Sequence, residues 1–250
     1  MLLAIDAGNT DVKLGLFDGP ELLHIGRVPT RGDRYDYKPY LERFVKAIYD
    51  REVEAVIISS VTDLNFLCLF PPEIFNLNPV FVDHTMKTGL TILYDDPSEL
   101  GADRIVDAVA AVEKYGAPCI VVDFGSATTF NAINSEREFL GGMIVPGIMT
   151  AFSALVDRTA NLKRVVQFEW PYHVIGSSTY ESLQSGWFFG TIDMVDALIK
   201  RIRQKMGGSP KVIATGGLAG LLETRCECID IFDETLTLDG LRILYEMNKA

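Results

Sequence analysis

The chain is poor in the residues that build metal centres and disulfide frameworks. Its 250 residues include 4 cysteines, 3 histidines and 2 tryptophans. Cys68 and Cys119 stand apart, and Cys226 and Cys228 form Cys-x-Cys rather than Cys-x-x-Cys. A disulfide scaffold needs more cysteines in a shorter chain, and a structural zinc needs clustered partners. Free thiols suit a reducing cytosol, so a cytoplasmic location is expected. No apolar run approaches the ~18–20 residues that span a bilayer. Residues 1–6 carry no basic leader and already reach a carboxylate at Asp6, so no signal peptide is expected. Positive charge is scarce as well: 23 Lys+Arg against 34 Asp+Glu leave a net charge of −11. Such a body repels phosphate backbones and anionic lipid, which excludes nucleic acid and membrane as expected partners. A locally positive site still admits a small anion. Three familiar nucleotide or hydrolase signatures are missing too. There is no G-x-x-x-x-G-K-[ST], no G-x-G-x-x-G after a strand, and no G-x-S-x-G elbow.

What is present is an ordinary globular composition, 48% hydrophobic and 23% charged, over a length that buries a real core. Apolar runs predict strands at 2–5, 12–17, 21–27, 54–59, 80–83, 119–123, 130–133, 138–144, 211–214 and 229–232. Asp18-Gly19 is a hairpin signal. Helical spacing predicts helices over 35–49, 97–115, 148–155, 179–206 and 236–248.

One pattern occurs twice. An apolar strand ends in Asp, then x, then Gly, then small hydroxyl or amide residues, then a second strand. The copies are Asp6-Ala7-Gly8-Asn9-Thr10 and Asp123-Phe124-Gly125-Ser126-Ala127-Thr128. The repeat predicts an α/β protein of two similar lobes with mixed sheets flanked by helices and a cleft between them. The expected domains are 1–116 and 117–250, the closing helix being able to pack back on the first lobe.

A glycine after a strand-end aspartate lets the backbone approach a ligand, and neighbouring N–H and hydroxyl groups then suit phosphate oxygens. The aspartate suits a cation or its water shell. Each copy taken alone also reads as a plain hairpin turn; two at equivalent places favour the nucleotide reading. The stretch Gly101-Ala102-Asp103-Arg104 before an apolar helix has two readings. Asp103 is either a general base beside an anion-binding guanidinium or a helix-start acid with a surface ion-pair partner. Gly141 to Gly147 is a candidate substrate-facing helix start or a packing turn. Thr215-Gly216-Gly217 either flanks an adenine or caps a helix.

Taken together these stretches resemble the type III pantothenate kinase family, within the actin-like (ribonuclease H-like) superfamily of acetate and sugar kinases. The resemblance rests on IDAGNTDVKLGLFDG, YDDPSELGADRIVDAVAA, IVVDFGSATTFNAI, LGGMIVPGI, VIGSSTYESLQSGWFFG and VIATGGLAGLL, in family order along the whole chain. It implies ATP-dependent phosphorylation of pantothenate, the first step of coenzyme A synthesis, with Mg2+ and a monovalent cation (K+ or NH4+). It implies that Asp6, Ala7, Gly8, Asn9, Thr10, Asp11, Val12 and Lys13 form the ATP phosphate turn, with Ser126 a further ATP contact. It implies Asp103 as the base, and Tyr94, Gly101, Ala102 and Arg104 as pantothenate contacts. Asp123 is implied as the monovalent-cation ligand. Thr179 is implied as a pantothenate contact donated by the second subunit of a homodimer, completing the site across the interface. Ser126 stands where a threonine is usual, Asp107 where an asparagine is common, and Ser177-Ser178 where Lys-Asn is common. A same-fold regulatory protein, or a kinase for another hydroxyl substrate, are the alternative functions.

Overall fold

The computed structural model describes residues 1–30, 52–62, 77–159 and 169–249. The helix expected at 35–49, and Cys68, lie outside the described residues. The strands are β1 (Leu2–Ala7), β2 (Asp11–Asp18), β3 (Glu21–Pro29), β4 (Ala55–Ser60), β5 (Val80–Phe81), β6 (Thr91–Ile92), β7 (Cys119–Phe124), β8 (Ala127–Ile133), β9 (Glu138–Pro146), β10 (Lys211–Thr215) and β11 (Ile231–Phe232). The α-helices are α1 (Ala102–Tyr115), α2 (Ile148–Arg158), α3 (Thr179–Met206), α4 (Ala219–Leu222) and α5 (Leu236–Asn248). They form two compact units. One holds Met1–Gly116, Ser135–Leu140 and Thr235–Ala250; the other holds Ala117–Asn134 and Gly141–Glu234.

In the first unit β1 pairs antiparallel with β2, and β2 antiparallel with β3. On its other side β1 pairs parallel with β4, and β4 with β5, giving the order β3-β2-β1-β4-β5. Side chains alternate along a strand. Leu3, Ile5 and Ala7 therefore enter one apolar cluster with Val12, Leu14, Leu16, Val28, Val56 and Ile58. Leu2, Ala4 and Asp6 face the other way. Gly15, the register partner of Ala4, lies against Leu238, so α5 covers that second face. The helix α1 is buried almost continuously from Arg104 to Val112. It meets α5 closely at Gly240, where a Cβ would stand 2.4 Å from the Val106 carbonyl oxygen.

In the second unit β7 takes the place of β1. It pairs antiparallel with β8 and parallel with β10, which pairs parallel with β11. Ile120, Val122 and Phe124 join a cluster with Ile192, Val195, Ile199 and Ile202 of α3. That spacing is one stripe of a helix. Val121 and Asp123 point to the opposite face, as Ala4 and Asp6 do.

Three local expectations needed revision. The single helix expected over 97–115 is a 3-10 turn, Pro97–Glu99, followed by α1. The break falls at Leu100 and Gly101, whose extended backbone ends the turn and caps α1. Asp96 holds the turn, its Oδ1 accepting from Ser98 N (2.9 Å) and Ser98 Oγ (2.7 Å). The short strand β6 and the helix α4 were not anticipated: two and four residues carry no periodicity.

Candidate active site

The first Asp-Gly turn is a tight loop braced by the end of β3. Gly8 N donates to Asp11 O (3.0 Å), Thr30 N to Thr10 O (2.7 Å) and Thr30 Oγ1 to Gly8 O (2.5 Å). Asn9 and Thr10 are exposed at the tip. Ala7 and Val12 are fully buried beneath the turn. Asp11 lies 3.9 Å from Arg27 Nε at the rim.

Asp6 sits one residue inside the end of β1. Lys13 is opposite it on β2 and Ser59 beside it on β4. Burial pushes the Asp6 carboxyl up from 3.8 to about 6; Lys13 opposes the rise, and the charge of Asp103 adds to it. Ser59 is fully buried, and its hydroxyl near Asp6 has no partner of good hydrogen-bond geometry. The first unit thus brings Asp6, Lys13, Ser59 and Asp103 into one electrostatic group.

Asp103 is the second residue of α1, and its side chain turns back toward the helix start. Its Oδ1 accepts from Arg104 N (2.8 Å). Burial raises its pKa above the ordinary carboxylate value, against that hydrogen bond and the Arg104 charge. Arg104 is itself buried, 7% exposed, which excludes the reading as a surface ion-pair partner. Its Nη1 donates to Tyr94 Oη (2.7 Å), and the guanidinium lies 5.6 Å from the centroids of both the Tyr94 and Phe139 rings. An aromatic-backed guanidinium keeps its charge at low hydration, the state that favours a carboxylate partner. Phe139 was missed from the sequence, since it is 35 positions from Arg104 and carries no motif.

The second Asp-Gly turn is one residue shorter. Gly125 N donates to Ala127 O (3.1 Å), closing it. The Ser126 carbonyl accepts from Gly147 N (3.1 Å) and Thr150 Oγ1 (2.6 Å), so the start of α2 holds the turn. Gly147 has no room for a side chain: a Cβ would stand 2.3 Å from Gly125 O. Gly216, with φ +102°, passes the Asp123 carboxylate so closely that a Cβ would lie 2.4 Å from Oδ1. Thr215 pairs in register with Asp123, as Ser59 does with Asp6. Nothing local in Thr215-Gly216-Gly217 signals this approach to Asp123, which depends on β10 pairing with β7.

Thr179 is the exposed first residue of α3, with Ser178 as N-cap accepting from Glu181 N (3.2 Å). Ser177 N and Oγ both donate to Glu181 Oε2 (2.7 Å each). The two serines therefore have a local capping role where a Lys-Asn pair is common.

A strand-end aspartate at a Gly turn in each unit, on two mixed sheets of like connectivity, is the plan of the actin-like fold. A solved structure titled a putative N-acetylmannosamine kinase from Listeria monocytogenes matches this fold with a TM-score of 0.52 and 11% identity, covering 98% of each chain. Another, titled a conserved putative Baf family transcriptional activator from Campylobacter jejuni, matches with a TM-score of 0.58 and 19% identity, covering 98% of this chain and 97% of its own. At such identities both speak for the fold alone. The family model described as type III pantothenate kinase matches residues 2–201. The type III pantothenate kinase of Halalkalibacterium halodurans is 41% identical over 99% of this chain and 100% of its own. The chain belongs to the type III pantothenate kinase family.

Proposed function

We propose that the chain transfers the γ-phosphoryl group of ATP to the primary hydroxyl of pantothenate, with Asp103 as the general base. The observation that carries this reading is Asp103 beside the buried Arg104–Tyr94 pair and within electrostatic reach of Asp6. Phosphoryl transfer needs positioning and charge neutralisation more than covalent help from the protein. Arg104, steadied by Tyr94 and Phe139, takes the pantothenate carboxylate. Gly101 and Ala102 line the approach to Asp103, which orients the hydroxyl and accepts its proton. The main chain of residues 6–13 and the Lys13 ammonium align the phosphates. Ser126 supplies a further hydroxyl to the nucleotide.

Among the described residues no three His, Cys, Asp or Glu side chains gather as a metal cage. Mg2+ does not need one: it keeps water and takes one or two carboxylates together with substrate phosphates. Asp6 fits that role as the carboxylate at the end of β1 beside the Gly turn, with Lys13 opposite it on β2. Asp123 fits a monovalent cation, K+ or NH4+. When bound, these ions offset phosphate charge. The exposed apolar run Tyr172, Val174 and Ile175, 96%, 69% and 88% exposed just before α3, supports a homodimer in which Thr179 reaches the partner's site. The buried free thiols of Cys119, Cys226 and Cys228 support a cytoplasmic location. Among the described residues no helix is long and apolar enough to cross a membrane.

The test is ADP release that requires both ATP and pantothenate, with the product identified by mass. Asp103→Asn should lower turnover by roughly 10²-fold or more. An unchanged rate removes Asp103 from the role of base, and activity on sugars but not on pantothenate removes the substrate. Mixing Asp103→Asn chains with Thr179→Ala chains tests the shared site. Activity recovers on mixing only if Thr179 acts in the partner's site, because one site of the mixed dimer then keeps both residues.

A further inference from the structure

Two fully buried hydroxyls, Ser59 Oγ and Thr215 Oγ1, make no hydrogen bond of good geometry, although Ser59 already stands near the Asp6 carboxylate. An unsatisfied buried hydroxyl costs stability, and an alanine or valine would fill either place without that cost. Their positions are equivalent. Each lies on the strand that runs parallel to the first strand of its unit, in register with the strand-end aspartate: Ser59 with Asp6, Thr215 with Asp123. Each follows apolar residues, Ile57-Ile58 and Ile213-Ala214, so the hydroxyl appears only where the strand comes level with the aspartate. Register partners in a parallel pair project to the same face. Each hydroxyl therefore stands beside the carboxylate, on the face opposite the larger apolar cluster. The same placement occurs in both units although the residue type differs. Chance packing of one serine would not require the second.

We propose that Ser59 and Thr215 are a matched pair of positioning residues, each donating its hydroxyl to the carboxylate of the aspartate beside it when a charged nucleotide is held. The donation fixes one carboxylate oxygen and turns the other toward the cation or phosphate-bound water. Gly216 strengthens the case in the second unit. A Cβ there would lie 2.4 Å from Asp123 Oδ1, so the carboxylate packs against the residue that follows Thr215. Neither hydroxyl contacts substrate in this arrangement; both act through the aspartate. The inference rests on the nucleotide reading of the two Asp-Gly turns given above.

The test compares variants that lose the hydroxyl, Ser59→Ala and Thr215→Val, with variants that keep it, Ser59→Thr and Thr215→Ser. Melting of the full chain without nucleotide or metal is measured first, then MgADP affinity by calorimetry, then KM for ATP and kcat. We expect Ser59→Ala and Thr215→Val to melt no lower than the parent, since each removes a buried hydroxyl without a well-formed hydrogen bond. Both should bind MgADP at least 10-fold more weakly and raise the KM for ATP more than they lower kcat. The hydroxyl-retaining variants should bind within 3-fold of the parent. Parental affinity in both hydroxyl-free variants overturns the proposal. So does equal loss in Thr215→Val and Thr215→Ser, which marks packing instead. If pantothenate is not phosphorylated but MgADP affinity still follows the hydroxyls, the substrate reading falls and this inference stands.

Discussion

The carboxylate of Asp103 folds back over Gly101: a Cβ built on Gly101 would stand 2.5 Å from Asp103 Oδ1. The glycine is required there by close approach and not by backbone twist, its φ being −57°. The clashing atom is the tip of a movable side chain, so Gly101→Ala should leave the fold intact and push the carboxylate aside. A misplacement of about 1 Å costs on the order of 10²-fold in rate. Turnover should fall by that order while the melting temperature holds. A parental kcat would show that Asp103 acts from another position.

Asp6 makes stability depend on pH in a definite direction. Its carboxyl titrates near 6 in the folded chain against 3.8 in an unfolded one. Between those values the folded state holds a proton that the unfolded state has released. Stability from this group is therefore full below the lower value and is lost as pH rises through about 6. Asp6→Asn, which cannot ionise, should gain on the parent in melting temperature by a few degrees more at pH 8 than at pH 4, without nucleotide or metal. At this chain length ~1 kcal/mol corresponds to roughly 2–4 °C. The same variant should lose nucleotide binding. A constant difference across pH would mean that Asp6 is not held in a desolvated site.

Arg104 is set by its 2.7 Å bond to Tyr94 and by two aromatic faces. Lysine keeps the charge and loses the planar fork. A charge-assisted hydrogen bond contributes about 1.5–3 kcal/mol. Arg104→Lys should thus raise the KM for pantothenate by roughly 10-fold or more, with the KM for ATP little changed. Tyr94→Phe should act in the same sense but less strongly. Equal rises for both substrates would argue against a pantothenate contact.

Gly240 lets α5 lie against α1, its Cα facing the Val106 carbonyl. The neighbour is backbone, so Gly240→Ala forces the helices apart. Overpacking of this kind costs about 1–3 kcal/mol. Thermal melting should drop by several degrees; an unchanged curve would refute the close crossing.

Much of the frame was legible because its signals are local. Short apolar runs bounded by turn residues marked β1, β2 and β7, and the apolar stripe of α3 lies on positions three and four apart. The Asp-Gly turns announced themselves by glycine spacing, and the second Asp-Gly copy marked the repeat. What was not legible has no local signal. Leu100 and Gly101 divide a stretch whose composition reads as one helix. Phe139 reaches the Arg104 guanidinium from a distant strand. Ser59 reads as an ordinary end of a strand until β4 is known to pair with β1.

The order of residues alone determined that this chain builds two copies of a strand–Asp–Gly–strand device and places Gly-Ala-Asp-Arg before a buried helix. Periodicity and turn chemistry act between neighbours in the chain, which is why they can be read from it. Tertiary structure alone decided which groups share a dielectric environment. Burial set the Asp6 and Asp103 carboxyls above their ordinary range, and strand register set Ser59 beside Asp6 and Thr215 beside Asp123. Desolvation and register depend on residues far apart in sequence, and only folding brings those together.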